Sequence, residues 1–483
     1  MPAAQPTRHP SPPTARPAGA LVSHAAGATL AEQLALHLAE RIQQRLLAPG
    51  ARLPSVRDCA QRQGVSPSTV VGAYDLLQAR GLVQAQPQRG FFVREVPAAP
   101  KPAAGRSSPP PAPVDATALI RSMFQVQGGL PAPGMGTLPE SWLDAQVLQR
   151  ALRRVCADPM AWLSYGEPAG DASLRAAMSR RLADLGVRAE ASQIVTTVGA
   201  THALDLISRT LLQPGDAVMV DEPGWAVEYA RLTRMGMRLL PVPRGPEGPD
   251  LAVLAALLRE HRPRLYVTVS VLHNPTGASL TPAVAHQVLR LAEAHDLTIV
   301  EDDTYSWLAP AHATRLVQLD ALQRTVYVTG FSKILTPQWR VGCLAAAPAL
   351  AERLIDTKLI STLTTPGPLE RAVAICLDQG ALRRHAERVV TRLQAARQRT
   401  VRLVRESGCH FRAEPAGLFG WVDVGVDTEP LAQRLLDEGW LTAPGSLFHA
   451  KPRPTSLMRI NFATAQDARF WQRLQQLRTS AHT

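Results

Sequence analysis

Lysine is almost missing from this chain. Of its 52 Lys and Arg residues only Lys101, Lys333, Lys358 and Lys451 are lysines, so chemistry that needs a primary amine has four places to occur, because arginine cannot replace lysine in imine formation. Cysteine is scarce as well. Cys59, Cys156, Cys343, Cys376 and Cys409 are odd in number and scattered, which suggests neither a disulfide framework nor a zinc site, and no metal is expected. No apolar run approaches the roughly 20 residues that span a bilayer, and no secretory segment opens the chain. A mitochondrial presequence is disfavoured because the first residues are broken by proline rather than amphipathic. These absences give a cytoplasmic reading without a membrane partner.

Positive charge, by contrast, is plentiful. The net charge of +12 and pI of about 10.1 are consistent with polyanion affinity. Residues 1 to 95 hold ten Arg against five Asp plus Glu, so much of the excess lies elsewhere, and composition alone does not name DNA. At 483 residues and 46% apolar content the chain exceeds one core. Its composition divides it into a proline-rich tail expected to be disordered (1–28), a first domain (29–95), a Pro/Ala/Ser-rich linker (96–114) and a second domain (115–483). The linker favours extended conformations at ~3.1 Å per residue, enough to separate the domains by up to roughly 60 Å.

Three apolar, β-branched runs, Arg264 to Leu272, Leu297 to Val300 and Thr325 to Thr329, read as buried strands of a parallel sheet, whose carboxyl ends are where ligands bind. After them come His273-Asn274-Pro275-Thr276-Gly277, Asp302-Asp303-Thr304-Tyr305, and Gly330-Phe331-Ser332-Lys333 with Arg340 beyond. Taken singly these are ordinary, since Asn-Pro-Thr-Gly is a good turn and Asp-Asp-Thr-Tyr a helix cap. In this order they meet the demands of pyridoxal phosphate, whose electronics a protein must tune. Lys333 offers the amine for the covalent link. Asp302 can hold the pyridine nitrogen protonated, while Asn274 and Tyr305 orient the phenolic oxygen. Arg340 offers a bidentate fork to the phosphate, and Ser332 adds a hydroxyl. Of the four lysines only Lys333 lies just past a buried strand and near these motifs.

With these motifs, residues from about 115 onward resemble a fold-type I aminotransferase domain, an α/β fold with a mostly parallel sheet and a smaller C-terminal α+β lobe. The resemblance implies further roles. Gly199-Ala200-Thr201, between a strand Ile194 to Val198 and a helix beginning near His202, looks like the turn whose N–H groups cradle the cofactor phosphate. Trp225 looks like the aromatic that stacks on the pyridine ring. Tyr165 resembles the tyrosine that reaches the phosphate of a neighbouring subunit, implying a homodimer, and Arg459 the arginine that grips a ligand carboxylate. Ligand selectivity in such sites comes from loops such as Leu130 to Pro139 and Pro444 to His449, and Phe419 stands where related regulators often have histidine. One position departs from the pattern: Gly330 replaces the usual Ser or Thr phosphate ligand, which either lowers cofactor affinity or is compensated by Thr329.

In the first domain an apolar helical period (Leu30, Leu34, Leu38, Ile42, Leu46) precedes two short helices joined by Gly64 and a strand pair ending Gly90-Phe91-Phe92-Val93. That is the pattern of a winged helix-turn-helix, and it resembles the GntR type of head throughout. Ser55 or Arg57 would start the first helix of the motif and face backbone phosphate. Ser66, Ser68 and Thr69 would enter the major groove, with capping an equal reading for Ser66, and Arg89 and Gly90 form the wing tip. Pro67 and Val71 stand where relatives carry basic residues, so readout of double-stranded DNA should lean on hydroxyls, the wing and DNA shape.

Head and domain together resemble the MocR type of transcription regulator. The resemblance implies a pyridoxal phosphate-dependent DNA-binding protein that senses an amino acid, an amine or the cofactor itself. A working aminotransferase carrying a DNA-binding head is the alternative.

Overall fold

The computed structural model describes residues 29–43, 52–86, 89–94 and 131–479. The expected tail (1–28) and linker (96–114) lie outside the described residues. The chain splits into two compact units, Met1–Pro110 and Pro111–Thr483.

In the first unit α1 (Leu30–Gln43), α2 (Val56–Gln63) and α3 (Pro67–Ala79) are followed by an antiparallel pair, β1 (Val83–Gln86) and β2 (Gly90–Val93). Leu34, Leu38, Val70, Tyr74 and Leu77 build a shared core. Each helix of the central pair begins at a serine whose hydroxyl accepts an otherwise orphaned N–H: Asp58 N to Ser55 at 3.2 Å, and Thr69 N to Ser66 at 3.1 Å. Gly64 ends α2 at φ 65°, a left-handed conformation that glycine adopts without penalty. The Tyr74 hydroxyl donates to the Pro54 carbonyl at 2.9 Å, and its ring meets Phe91 edge-on at 5.0 Å, tying the wing to the helices.

The second unit is built on seven strands: β3 (Ile194–Thr197), β4 (Ala217–Glu222), β5 (Arg238–Pro243), β6 (Leu265–Thr268), β7 (Thr298–Asp302), β8 (Thr325–Gly330) and β9 (Gly342–Ala345). Their order is β3-β9-β8-β7-β6-β4-β5, and β9 alone runs antiparallel to its neighbours. Val218 and Val220 enter one apolar cluster while Ala217 and Met219 enter another, so β4 is buried on both faces and reads as a continuous apolar run. A smaller antiparallel sheet, β10 (His410–Phe411), β11 (Phe419–Asp423), β12 (Ala443–Pro444) and β13 (Leu457–Asn461), comes after the long helix Ala381–Glu406.

Two boundaries differ most from the sequence reading. The strand expected over Arg264 to Leu272 stops at Thr268, because the Val269 N–H is taken by the Asp221 carboxylate at 3.1 Å and leaves the ladder. The helix expected near His202 begins at Gly199, because the His202 ring folds back and its Nδ1 accepts the Val198 N–H at 3.0 Å. Among the described residues no helix is long and apolar enough to cross a membrane.

Candidate cofactor site and nucleic-acid interface

The parallel strands deliver the site residues at their carboxyl ends. Asp302 is the last residue of β7, Lys333 lies just past β8, and Asn274 sits in the turn beyond β6. Lys333 is half-buried, and its Nζ donates to the Gly136 carbonyl at 2.8 Å. Burial, with Arg459 and Arg340 nearby, pulls its pKa down to about 8, against the pull of Asp302. Burial likewise pushes the Asp302 carboxyl up to about 6, although the Thr304 N–H donates to it at 3.0 Å and the Thr304 hydroxyl also donates. A desolvated carboxylate of this kind favours a cationic partner. Tyr305, raised above its usual range by burial, packs edge-on against Phe419 at 5.5 Å.

Arg459 projects from β13 into the same place and is 5% exposed. Its Nη1 donates to Asn274 Oδ1 at 2.9 Å and its Nη2 to the Gly134 carbonyl at 2.7 Å. The guanidinium lies over the rings of Phe419 (4.6 Å) and Phe448 (4.9 Å). Its buried Nε has no hydrogen-bond partner, and no ion pair joins it to a carboxylate among the described residues. Burial pulls its pKa down to about 10.

The turn after β3 forms the other end of the site. Gly199 has φ 75°, and a side-chain carbon there would fall 2.7 Å from Arg340 Nη2. Arg340 itself is exposed, donating to Ser332 Oγ at 3.1 Å and the Val198 carbonyl at 3.3 Å. The first N–H groups of the helix Gly199–Leu211, those of Gly199, Ala200 and Thr201, lack helical acceptors. Val198 and Thr201, at this helix start, line a cleft of about 420 Å³ together with His202, Asp205, Arg231, Arg340 and Thr362. Thr329 does not stand in for the missing hydroxyl at 330: its Oγ1 donates to the Asp303 carbonyl at 3.1 Å. Trp225 lies half-buried just beyond β4. Tyr165 is not brought to the cluster, its side chain standing 83% exposed.

Several contacts that build the site were not foreseen from the sequence, although the loop from Leu130 to Pro139 was expected to line it. The segment 131–137 runs through the site, with the Pro131 carbonyl accepting from Leu441 N (3.0 Å) and Pro133 from Asn461 N (2.8 Å), and Met135 and Thr137 from Asn461 Nδ2 (2.9 and 2.8 Å). Asp221 accepts from Tyr266, Thr268 and Arg244 at 2.6, 2.9 and 3.1 Å, fixing the turn that carries Asn274. Asp303 binds Arg315 at 2.6 Å and Tyr327 at 2.9 Å directly behind Asp302. Lys358 is a second buried amine, held by Thr196 and Thr365 at 3.2 and 3.1 Å and pulled down to about 8 by burial. Burial therefore does not single out Lys333; its neighbours do.

On the first unit the hydroxyl of Ser66 lies 2.8 Å from those of both Ser68 and Thr69, a cluster at the start of α3. Arg57 is exposed in the first turn of α2, and Ser55 donates to Asp58 at 2.7 Å. At the wing tip Gly90 has φ 100°, and a side-chain carbon there would lie 3.5 Å from the Arg52 guanidinium, while Arg89 lies 5.8 Å from the Phe92 ring. Arg52 was not anticipated.

Residues 135–474 match the family of class I and II aminotransferases, and residues 30–93 match the bacterial regulatory proteins of the gntR family. The HTH-type transcriptional regulator YdcR of Escherichia coli is 32% identical over 92% of this chain and 97% of its own. The 2-aminoadipate transaminase of Thermus thermophilus is 31% identical over 70% of this chain and 84% of its own. Among solved structures, the Thermus thermophilus α-aminoadipate aminotransferase LysN, complexed with N-(5'-phosphopyridoxyl)-L-leucine, superimposes with a TM-score of 0.69 at 26% identity, covering 75% of this chain and 95% of its own. Aminotransferases of this fold depend on pyridoxal phosphate, and the gntR-type head is a DNA-binding module. The chain belongs to the MocR type of transcription regulators, in which a GntR-family winged helix-turn-helix is fused to a pyridoxal phosphate-dependent, aminotransferase-like domain.

Proposed function

We propose that the second unit is a sensor for an amino acid or amine, read at the cofactor site and reported to the DNA-binding head. The observation that carries this is the unsatisfied cation at Arg459. A buried guanidinium with a spare donor and no acid partner is costly unless a ligand supplies the acceptor. A methyl group placed on Gly136 would lie 3.7 Å from Arg459 Nη2 and 3.9 Å from Lys333 Nζ, so a small molecule can present a carboxylate to one and an amine beside the other.

The residues fit pyridoxal phosphate. Lys333 would hold it covalently, Asp302 would face the pyridine nitrogen, and Asn274 and Tyr305 the phenolic oxygen. Gly199, Ala200, Thr201, Ser332 and Arg340 would hold the phosphate, with Trp225 against the ring. Bound there, the cofactor supplies an aldehyde open to amine exchange and an electron sink. Asp302 would favour a proton on the ring nitrogen because burial disfavours its lone carboxylate charge, which a cationic partner would relieve. Arg459 binds and orients the ligand carboxylate through donors now spent on Asn274 and Gly134.

The chain works as a homodimer in this reading. Trp162, Leu163, Tyr165, Ile360 and Leu363 are large apolar side chains left exposed that a second subunit would cover, and Tyr165 would reach the phosphate of that subunit. Ser55, Arg57, Ser66, Ser68, Thr69, Arg89 and Gly90 would meet duplex DNA, the hydroxyls and wing supplying contacts that Pro67 and Val71 cannot. A regulator of this kind acts in the cytoplasm, where its DNA is.

The test is absorbance of the cofactor-saturated protein before and after a panel of amines and amino acids, run beside binding to the DNA upstream of its own coding sequence. A ligand that changes both, without turnover, supports the sensor, and linkage requires that DNA change ligand affinity by the same factor. Steady keto-acid production at ~1 to 10³ per second supports the enzyme instead. DNA affinity that tracks cofactor occupancy alone makes the cofactor the signal.

A further inference from the structure

We infer that the exposed arginine face of the helix Ala381–Glu406, on the aminotransferase-like unit, is a second DNA-binding surface that takes the phosphate backbone of a duplex. Residues 96–483 carry 42 Lys plus Arg against 35 Asp plus Glu. The one helix holds eight Arg and two Glu, so it accounts for nearly all of the excess outside the head.

The charge is organised rather than scattered. Arg384, Arg388, Arg392, Arg399 and Arg402 are all exposed. At 100° per residue they fall within about 80° of one another, in a stripe about 27 Å long. Leu382, Val389, Leu393 and Leu403 anchor the helix in the core, so the stripe is held in place. A helix face meant only for solvation usually alternates acid and base four residues apart. Here Arg384, Arg388 and Arg392 succeed one another at that interval, a mutual repulsion that a polyanion relieves. Arg388 meets Asp144 at 2.8 Å and Arg402 meets Glu406 at 3.8 Å. These exposed pairs are weak and easily exchanged for phosphate. Arg392 and Arg399 make no ion pair among the described residues.

A duplex fits this face better than a compact anion does. It carries one charge per ~1.7 Å of axis, so the stripe runs beside about eight base pairs of backbone. The contacts would be to phosphate and sequence-independent, adding affinity and a longer footprint to whatever the head reads. The inference rests on the DNA-binding role of the head.

The experiment uses the full, cofactor-loaded chain and two duplexes of equal length, its own upstream DNA and an unrelated sequence, across a range of salt. The variant carries Arg384→Gln, Arg392→Gln and Arg399→Gln; Arg392→Gln alone is the milder form, and cofactor absorbance reports that each is folded. The expected result is weaker binding to both duplexes by a similar factor, with the slope of log affinity against log salt falling by about 0.9 for each phosphate no longer neutralised. The head variant Arg89→Gln should instead narrow the difference between the two duplexes. Unchanged salt slopes and footprints in folded variants would overturn the inference and point to an acidic protein. Failure of the unaltered chain to bind either duplex would instead overturn the DNA-binding reading on which the inference depends.

Discussion

Lys333 and Gly136 are joined by a hydrogen bond: the side-chain amine donates to the main-chain carbonyl at 2.8 Å. Two residues earlier in the same segment, the Gly134 carbonyl accepts from Arg459 at 2.7 Å. The Lys333 amine and one of the Arg459 donors are thus both engaged by the backbone of residues 134–136, and in the proposed reading loading the site means exchanging those carbonyls for better acceptors. Gly134 tolerates nothing larger, since a side-chain carbon there would fall 2.3 Å from the Ala443 nitrogen. Gly136 is free of such clashes. Gly136→Ala should leave stability within about 0.5 kcal/mol, while its methyl occupies the space between Arg459 and Lys333 and weakens amino-acid binding. Thermal unfolding and ligand titration of the same sample check this.

The depressed pKa of Lys333 gives a pH dependence of cofactor loading. The neutral amine is the nucleophile, and a value of about 8 leaves roughly one amine in ten neutral at pH 7. The rate at which the apoprotein takes up pyridoxal phosphate should climb as pH rises towards 8 and flatten above it. A rate still climbing steeply beyond pH 9 would show the amine to be unperturbed.

Removing the guanidinium separates carboxylate recognition from cofactor binding. Arg459→Gln should weaken binding of amino acids by roughly 10- to 100-fold, the worth of charge-assisted hydrogen bonds. Simple amines without a carboxylate should bind as before, and cofactor content should hold. Equal loss for both ligand types would argue against a carboxylate contact.

Position 330 is open to improvement. A side-chain carbon there would lie 3.4 Å from the Ala200 nitrogen, on the cradle side, whereas the Thr329 hydroxyl is committed to Asp303. Gly330→Ser should tighten cofactor binding by several-fold, as one added hydrogen bond of about 1 kcal/mol would. Equilibrium dialysis against pyridoxal phosphate measures it.

Behind the site, Arg315 and Asp303 are both fully buried and paired at 2.6 Å. Arg315→Met should cost about 3–5 kcal/mol, because it strands a buried carboxylate. Chemical denaturation of the cofactor-free chain gives that number without contribution from the ligand.

The chemistry-bearing positions after the strands were legible in the sequence because a parallel sheet buried on both faces must be a continuous apolar run, and the residues next after each run are forced to its carboxyl end. Asn274, Asp302 and Lys333 are found there. The head was equally legible, since Ser55, Gly64 and Ser66 are local signals whose effect reaches three or four residues. Tyr165 shows the limit: its resemblance-based role concerns a second subunit, and within one chain it simply points outward.

The amino-acid order by itself determined the fold class, which motifs follow the buried strands, and that only one of four lysines stands beside them, because those come from periodicity and composition. Only the tertiary structure decided that carbonyls of residues 134 and 136 occupy Arg459 and Lys333, that Thr329 is already bonded, and that five arginines share one exposed face. Those relations join residues far apart in the chain or depend on which way a side chain turns, and such directions are set by packing of the whole unit rather than by local pattern.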